Sequence, residues 1–208
     1  MLEILDMGIC DYKQVLDKQL ELCELRQKDS VTDTVILVEH PAVITLGARQ
    51  DKNRLLADEA ELVKQGIGVV PIRRGGGSTA HNPGQIVFYP IIHLKQRQLG
   101  INEYIRKLEQ MGIELLGRCC VTAERKKSLP GLWVGEKKIA SIGVKVSRCV
   151  TYHGMAININ NDLSIFNYIV PCGLDGVEMT SVLKETGSKA PMDEVKQFLS
   201  DILMKYFS

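Results

Sequence analysis

Apolar side chains recur three or four positions apart in several stretches of the chain, and this spacing predicts helices. It occurs in residues 11–27, in residues 102–116 and in residues 195–206, where two acidic residues just ahead suit the positive end of a helix dipole. Residues 57–65 predict a shorter helix, because Gly66 stands where helices commonly end. We therefore expect helices near the start, the middle and the end of the chain.

Runs of β-branched and aromatic residues between these helices predict strands. Residues 34–41 form a continuous apolar run that ends in proline, and residues 69–73, 85–91 and 150–160 form similar runs. Residues 132–146 predict two strands joined by a tight turn. Because most strands directly follow one another, we predict an α+β fold with a mixed, largely antiparallel β-sheet flanked by helices.

Composition narrows the class of protein. The chain has 208 residues, and neither a repeat nor a linker divides it, so we predict that residues 1–208 form a single domain. The net charge of +1 creates no strong field for nucleic acid. No apolar run approaches the roughly 20 residues that cross a bilayer, and the start lacks the pattern of a secretion signal. We predict a cytoplasmic protein that binds neither nucleic acid nor membrane.

The six cysteines do not have the spacing of a zinc site, and a chain of this size does not need disulfides. We therefore predict no metal site and expect five of the thiols to be reduced packing groups. Cys172 differs because it lies between Pro171 and Gly173, where the backbone is restricted. Three interpretations are open for it: a packing group, a redox or metal group, or a nucleophile.

A glycine-rich segment, RRGGGSTAHNPGQ at residues 73–85, is the second candidate for chemistry. Consecutive glycines let backbone N–H groups approach a carbonyl, carboxylate or phosphate closely, and two arginines add positive charge. The segment lacks the GxxxxGK[ST] phosphate-binding pattern, so we predict a ligand loop of another kind. His81 and His153 lie in polar, glycine-containing segments and are candidates for lining a site, whereas His40 and His93 are expected to be structural or exposed.

Four motifs in a fixed order carry a resemblance to a known family. RGGGSTAHNPGQ, GEKKIASIG, HGMAIN and PCG together resemble the lipoyl(octanoyl) transferases over about residues 73–179. The resemblance implies a fold similar to the catalytic domains of biotin and lipoate protein ligases, and acyl transfer without a cofactor. The implied donor is octanoyl-acyl carrier protein, and the implied acceptors are lipoyl domains of 2-oxoacid dehydrogenase E2 subunits and the glycine cleavage H protein.

The resemblance also implies roles for individual residues. Its catalytic cysteine falls on Cys172 and its catalytic lysine on Lys138, while Lys137 alternates to the opposite face of a strand. A cationic amine beside Cys172 would favour the reactive thiolate. The stretches expected to bind the acyl substrate are Arg74, Gly75, Gly76, Gly77, Ser78, Thr79, Ala80 and His81, then Ser141, Ile142 and Gly143, and finally His153, Gly154, Met155 and Ala156.

The chain departs from the family pattern within the glycine-rich segment. Ala80 stands where the family has tyrosine, and Asn82 stands where it has glycine. Both changes fall where we expect the acyl pocket. Backbone N–H groups of this segment or of residues 141–143 are candidates for stabilising the thioester oxyanion.

Two further functions are compatible with the sequence. An ATP-dependent lipoate ligase would share the fold and the glycine-rich segment, but it adenylates a free acid and does not need Cys172. A noncatalytic acyl-binding protein would need neither Cys172 nor Lys138. Because acyl carrier proteins are acidic, a docking patch is also hypothesised, formed by Arg73, Arg125, Lys126 and Lys127.

Overall fold

The computed structural model describes residues 2–207, apart from the side chain of Cys172. The strands are, in chain order, β1 (Leu2–Ile9), β2 (Asp33–Glu39), β3 (Val43–Leu46), β4 (Gly68–Pro71), β5 (Thr79–His81), β6 (Gln85–Ile91), β7 (Glu124–Lys126), β8 (Leu129–Val134), β9 (Lys137–Ser147) and β10 (Val150–Asn158). The helices are α1 (Tyr12–Gln27), α2 (Glu59–Lys64), α3 (Ile101–Arg118), α4 (Val182–Thr186) and α5 (Met192–Phe207).

The strands form two sheets. Within the described residues, the larger sheet has seven strands in the order β1-β2-β6-β10-β9-β8-β7, and only its β1–β2 pair is parallel. The smaller sheet has the order β4-β3-β5, with β3 parallel to β4 and antiparallel to β5. The predicted α+β class with a mixed, largely antiparallel sheet is therefore confirmed.

The two faces of the larger sheet pack against different partners. One face packs against α3 and α5, where Phe88 and Met155 of the sheet meet Leu115 and Leu203 in the main hydrophobic core. The opposite face packs against α1, whose Val15 is fully buried there. Burying one such side chain stabilises the fold by about 2 kcal/mol. The second face also carries the smaller sheet, and the functional residues collect between the two sheets.

Several element boundaries agree with the sequence patterns, and several elements were missed. The predicted strand at residues 85–91 is β6, and the helix expected over residues 11–27 is α1. The strand β1 was missed because its burial is irregular and its pairing with β2 is interrupted near its end. The strands β5 and β7 have three residues each, too few to show a period. No helix within residues 2–207 combines the length and apolarity needed to cross a membrane.

The expectation that five cysteines are packing groups is wrong for two of them. Cys23 is buried, and Cys10 and Cys119 are partly buried, but Cys120 and Cys149 are exposed. Both exposed residues lie in turns with positive φ, of +61° and +67°. Cys149 is part of the two-residue turn between β9 and β10, so chain reversal rather than packing determines its position.

Candidate active site

A narrow cleft lies between the two sheets. Its walls are the segment that joins β4 to β5, which we call the glycine loop (residues 72–78), and the facing parts of β9 and β10. Most of the site residues predicted from the sequence line the cleft. They are Arg74, Gly76, Thr79, His81, Ser141, Ile142, Gly143, His153, Gly154, Met155 and Ala156. The cavity volume is about 30 Å³, roughly the space of two water molecules.

Arg74 holds the glycine loop in shape from inside. Its buried guanidinium donates hydrogen bonds to the carbonyl oxygens of Gly75 and Gly77, at 3.0 and 2.8 Å, and to the hydroxyl oxygen of Thr45 at 2.8 Å. The stem of Arg74 crosses β9 at Gly143, where a Cβ atom would lie only 2.7 Å from the Arg74 Cδ. The guanidinium of Arg74 is therefore fixed to the glycine loop and to the smaller sheet. Residue 143 must be glycine, because a side chain there would collide with the stem of Arg74.

Backbone groups of the glycine loop are partly committed to neighbouring segments. Gly75 donates its N–H to Val144 at 3.1 Å, and Ser78 donates its N–H to Lys52 at 3.3 Å. The Ser78 hydroxyl donates to the carbonyl of Val170 at 2.9 Å, so Ser78 faces the cysteine-containing turn rather than the cleft. These bonds remove Gly75 and Ser78 as oxyanion donors.

Residues 47–54 form a packing segment, outside the cleft lining, that the sequence analysis did not single out. A Cβ on Gly47 would lie 2.2 Å from the Gly76 oxygen, and one on Gly77 would lie 2.2 Å from the Lys52 oxygen. A Cβ on Gly173 would lie 2.8 Å from the Lys52 Cβ. This packing segment therefore joins the glycine loop to the turn Pro171–Gly173. Gly47 was the available signal, but one glycine in a polar stretch does not distinguish a close contact from an ordinary loop.

Lys138 is one of the most deeply buried charged residues, with an exposed fraction of 1%. Its Nζ donates to the Pro130 carbonyl at 2.8 Å and lies 5.1 Å from the centre of the Trp133 ring. Gly131 makes room for it, because a Cβ there would lie 3.2 Å from Nζ. The neighbouring Lys137 points to the other side, where its side chain is 41% exposed and 4.0 Å from a glutamate carboxylate.

The side chain of Cys172 lies outside the described residues, but its neighbours do not. Gly173 has a φ of +67° and donates its N–H to Val170 at 3.1 Å, which closes the turn. Further along, Lys138 donates its N–H to Glu178 at 2.8 Å and accepts from the N–H of Thr180 at 2.9 Å. The chain that leaves the turn is therefore bonded directly to the strand that carries Lys138.

The three histidines near the cleft are neutral at neutral pH. Burial lowers the pKa of His81 and of His153 to about 3, and that of His40 to about 4. His81 accepts or donates one hydrogen bond with Gln85 at 2.7 Å. His40, expected to be structural or exposed, is buried behind the cleft wall, with its ring 5.6 Å from that of His81.

The two departures from the family pattern lie away from the cleft. Ala80 is on the face of β5 opposite Thr79 and His81, and it packs in a separate core with Ile44. Asn82 donates its amide to the Asp162 carbonyl at 2.8 Å and accepts from Asn161 at 3.1 Å. Alternation along the strand explains the outcome for Ala80. Ala80 and Asn82 therefore belong to the residues that pack behind the cleft and not to those that line it.

Two of the four residues of the hypothesised basic patch are engaged in internal ion pairs. Arg125 bonds to Glu109 at 3.0 Å, and Lys126 bonds to Glu136 at 2.7 Å. Lys127 is exposed in the turn directly after β7, whereas Arg73 is exposed at the start of the glycine loop. The four charges are thus divided between two different segments.

The sequence of this chain is similar to those of a known family along almost its whole length. Residues 11–204 match the family described as the lipoyl protein ligase A/B catalytic domain. The octanoyltransferase of Alkaliphilus metalliredigens is 39% identical over 208 residues, which are 100% of this chain and 94% of that protein. The octanoyltransferase of Syntrophobacter fumaroxidans is 43% identical over 204 residues, which are 98% of this chain and 90% of that protein.

Two solved structures share the fold at low sequence identity. A bipartite lipoate protein ligase from Thermoplasma acidophilum superposes with a TM-score of 0.72 at 16% identity, covering 98% of this chain and 82% of that one. The biotin protein ligase of Aquifex aeolicus gives 0.53 at 15% identity, covering 98% and 67%. The ligase-like architecture expected from the sequence is therefore confirmed.

Proposed function

Because the chain belongs to the octanoyltransferase family, we propose a specific course for its acyl transfer. Octanoyl-acyl carrier protein donates the acyl group, and Cys172 carries it as a thioester. The acceptor is a lysine of a lipoyl domain, either in a 2-oxoacid dehydrogenase E2 subunit or in the glycine cleavage H protein. Residues 1–208 act as one catalytic domain.

The burial of Lys138 is the observation that supports this proposal most strongly. An ammonium group loses hydration when it is buried, so proteins retain buried lysines mainly where they are paired or functional. Here the ammonium donates to the Pro130 carbonyl and faces the Trp133 ring. Its strand is bonded to the chain that leaves the Cys172 turn. A thiolate on Cys172 would be a fitting partner for this charge.

The first chemical step exchanges one thioester for another. The Cys172 thiolate attacks the octanoyl carbonyl carbon, a new carbon–sulfur bond forms, and the bond to the carrier thiol breaks. The leaving carrier thiolate takes a proton from Lys138, which becomes a neutral amine. The exchange is nearly balanced in energy and needs no ATP. Gly76 and Gly77 are the loop residues whose N–H groups we propose to stabilise the oxyanion.

The second step forms the amide. The acceptor lysine amine attacks the acyl-Cys172 carbonyl, a carbon–nitrogen bond forms, and Cys172 leaves as the thiolate. Lys138 accepts the proton that the amine loses, which restores the starting ion pair. An amide is more stable than a thioester, so this step makes the overall transfer downhill.

The narrow cleft is proposed to hold the octanoyl chain. Its volume of about 30 Å³ is too small for such a chain, so the side chains of its walls must move apart when the chain enters. Apolar groups on the cleft face of β6 and β10 include Val87 and Ala156. The buried histidines of the wall are uncharged at neutral pH, which suits an alkyl ligand.

Transfer without ATP tests the proposal. The protein is mixed with octanoyl-acyl carrier protein and an apo lipoyl domain, and both proteins are followed by intact mass. We expect an octanoyl adduct on Cys172 after rapid quenching, followed by octanoylated lipoyl domain. Cys172→Ala should form neither product. Activity that appears only with ATP and a free acid would instead indicate a ligase.

Lys138→Met tests the partner of the cysteine, with Lys137→Met as the matched control one residue away. Methionine fills a buried site of similar length but carries no charge. We expect Lys138→Met to slow adduct formation about a thousandfold, in the range of a lost acid–base group. Lys137→Met should keep the parent rate, because that side chain is on the exposed face. Equal rates for the two variants would contradict the proposed role of Lys138.

A further inference from the structure

The cleft runs across the strands of the larger sheet rather than along them. Ser141 on β9 pairs with Ala156 on β10, and Ala156 pairs with Val87 on β6. Paired residues of antiparallel strands point to the same face, and all three line the cleft. Two interstrand steps span about 10 Å. This length is comparable with an extended octanoyl chain.

One end of this path lies near the reacting groups. Ser141 is three positions after Lys138 on the same strand, β9. The acyl carbonyl, which must reach Cys172 and Lys138, therefore belongs at the β9 end. The methyl end of the chain belongs at the β6 end.

Tyr12 closes the β6 end of the cleft. It is the first residue of α1, where Asp11 caps the helix by accepting from the N–H groups of Lys13 and Gln14 at 2.9 and 3.2 Å. Its side chain is 3% exposed and lines the cleft beside Tyr89. A helix start held by its cap gives this ring a fixed backbone position.

Neighbouring rings hold Tyr12 in place. It stacks on His81 with ring centres 5.8 Å apart and planes at 18°, and it packs 5.0 Å from His40. Tyr89, which also lines the cleft, is hydrogen-bonded through its hydroxyl to His40 at 2.9 Å. A longer acyl chain would have to displace this connected group of rings, and the hydrogen bonds lost would be buried.

We propose that Tyr12 is a specificity-determining residue that ends the acyl cleft and limits the length of the chain transferred. This inference rests on the proposed function, in which the cleft holds the acyl group. The chain from β9 reaches the ring after about two interstrand spacings. An acyl chain that is two methylenes longer than octanoyl would meet the Tyr12 ring rather than free space.

Competition between carrier proteins loaded with octanoyl and decanoyl groups tests this role. Tyr12→Ala removes the ring, and it should raise the ratio of kcat/KM for decanoyl over octanoyl about tenfold, since each methylene that gains burial favours binding about fourfold. Tyr12→Phe keeps the ring and should keep the parent ratio. Val15→Ala, in the same helix but at a residue that does not line the cleft, should also keep it.

A fourth variant separates failure of this inference from failure of the proposed acyl site. Ala156→Val narrows the middle of the path, so it should lower transfer of octanoyl relative to a shorter butyryl group. If Ala156→Val has this effect and Tyr12→Ala leaves the decanoyl ratio unchanged, the chain occupies the cleft but Tyr12 does not end it. If neither variant alters selectivity, the acyl chain binds elsewhere and both proposals are wrong. A shift with Val15→Ala equal to that with Tyr12→Ala would also overturn the inference.

Discussion

The buried position of Lys138 depends on a neighbour without a side chain, Gly131. Gly131 has a φ of +115°, and a Cβ on it would lie 3.0 Å from Lys138 Cε and 2.3 Å from the Ala140 oxygen. Any side chain at this position therefore pushes against the lysine stem and a backbone oxygen at once. The Lys138 ammonium therefore reaches its position only because residue 131, on the adjacent strand β8, has no side chain.

Gly131→Ala should lower kcat about a hundredfold, because a shift of about 1 Å in a catalytic group has an effect of this order. Gly135→Ala is the matched control, since Gly135 also has a positive φ, of +55°, but nothing lies within 4 Å of its Cβ position. Gly135→Ala should lose about 1 kcal/mol of stability from backbone strain. Gly131→Ala should lose more, because its Cβ would also press on the Ala140 oxygen. Steady-state rates and urea denaturation measure the two effects. A similar loss of kcat in both variants would show that strain alone is responsible.

The neighbouring segments of the site are connected by buried side-chain amides. Asn158, the last residue of β10, donates to the Thr180 carbonyl at 2.9 Å and accepts from Gln85 at 2.9 Å. Thr180 is bonded through its N–H to Lys138. One buried asparagine therefore links the start of β6 to the segment that pairs with Lys138.

Asn158→Ala should lower both stability and kcat, because it leaves the Thr180 carbonyl and the Gln85 amide without this partner. The cost is about 1–3 kcal/mol for a buried polar group. Asn160→Ala is the control, since Asn160 also makes two side-chain bonds, both to the backbone of Ala190. It should lower stability while kcat per folded molecule stays at the parent value. Thermal unfolding and active-site titration measure both quantities, and an equal loss of kcat in the two variants would contradict the role of Asn158.

Burial of histidines makes the stability of the whole molecule depend on pH. Burial lowers the pKa of His40 to about 4 and of His153 to about 3, from 6.5 in an exposed chain. Between pH 6.5 and pH 4 the unfolded state therefore binds more protons than the folded state. The free energy of unfolding consequently falls as the pH drops through this window, by up to about 1.4 kcal/mol per pH unit for each histidine.

Urea denaturation at pH 7 and at pH 5 measures this loss. His153→Gln removes one titrating group, so its loss of stability between the two pH values should be smaller than that of the parent by about 2 kcal/mol. Taking the difference between variant and parent cancels the contribution of the carboxylates. An identical loss in both proteins would mean that His153 does not titrate differently in the folded and unfolded states.

The order of residues along the chain was sufficient for the α+β class, for the bounds of β6 and for most of α1, because these depend on local periodicity. It also indicated the glycine loop, since consecutive glycines are unusual enough to be recognised without a structure. The assignment of catalytic roles to Lys138 and Cys172 came from the ordered motifs and stays a prediction.

Contacts between distant segments could be seen only in the folded chain. Tyr12 and Gly131 carry no local signal that distinguishes them from other helix or turn residues, and they reach the site through α1 and β8. The contacts of residues 47–54 and the placement of Ala80 behind the cleft depend on which segments and strand faces meet in the folded chain. Periodicity along the sequence reports that a side chain is buried, but packing between elements determines what it is buried against.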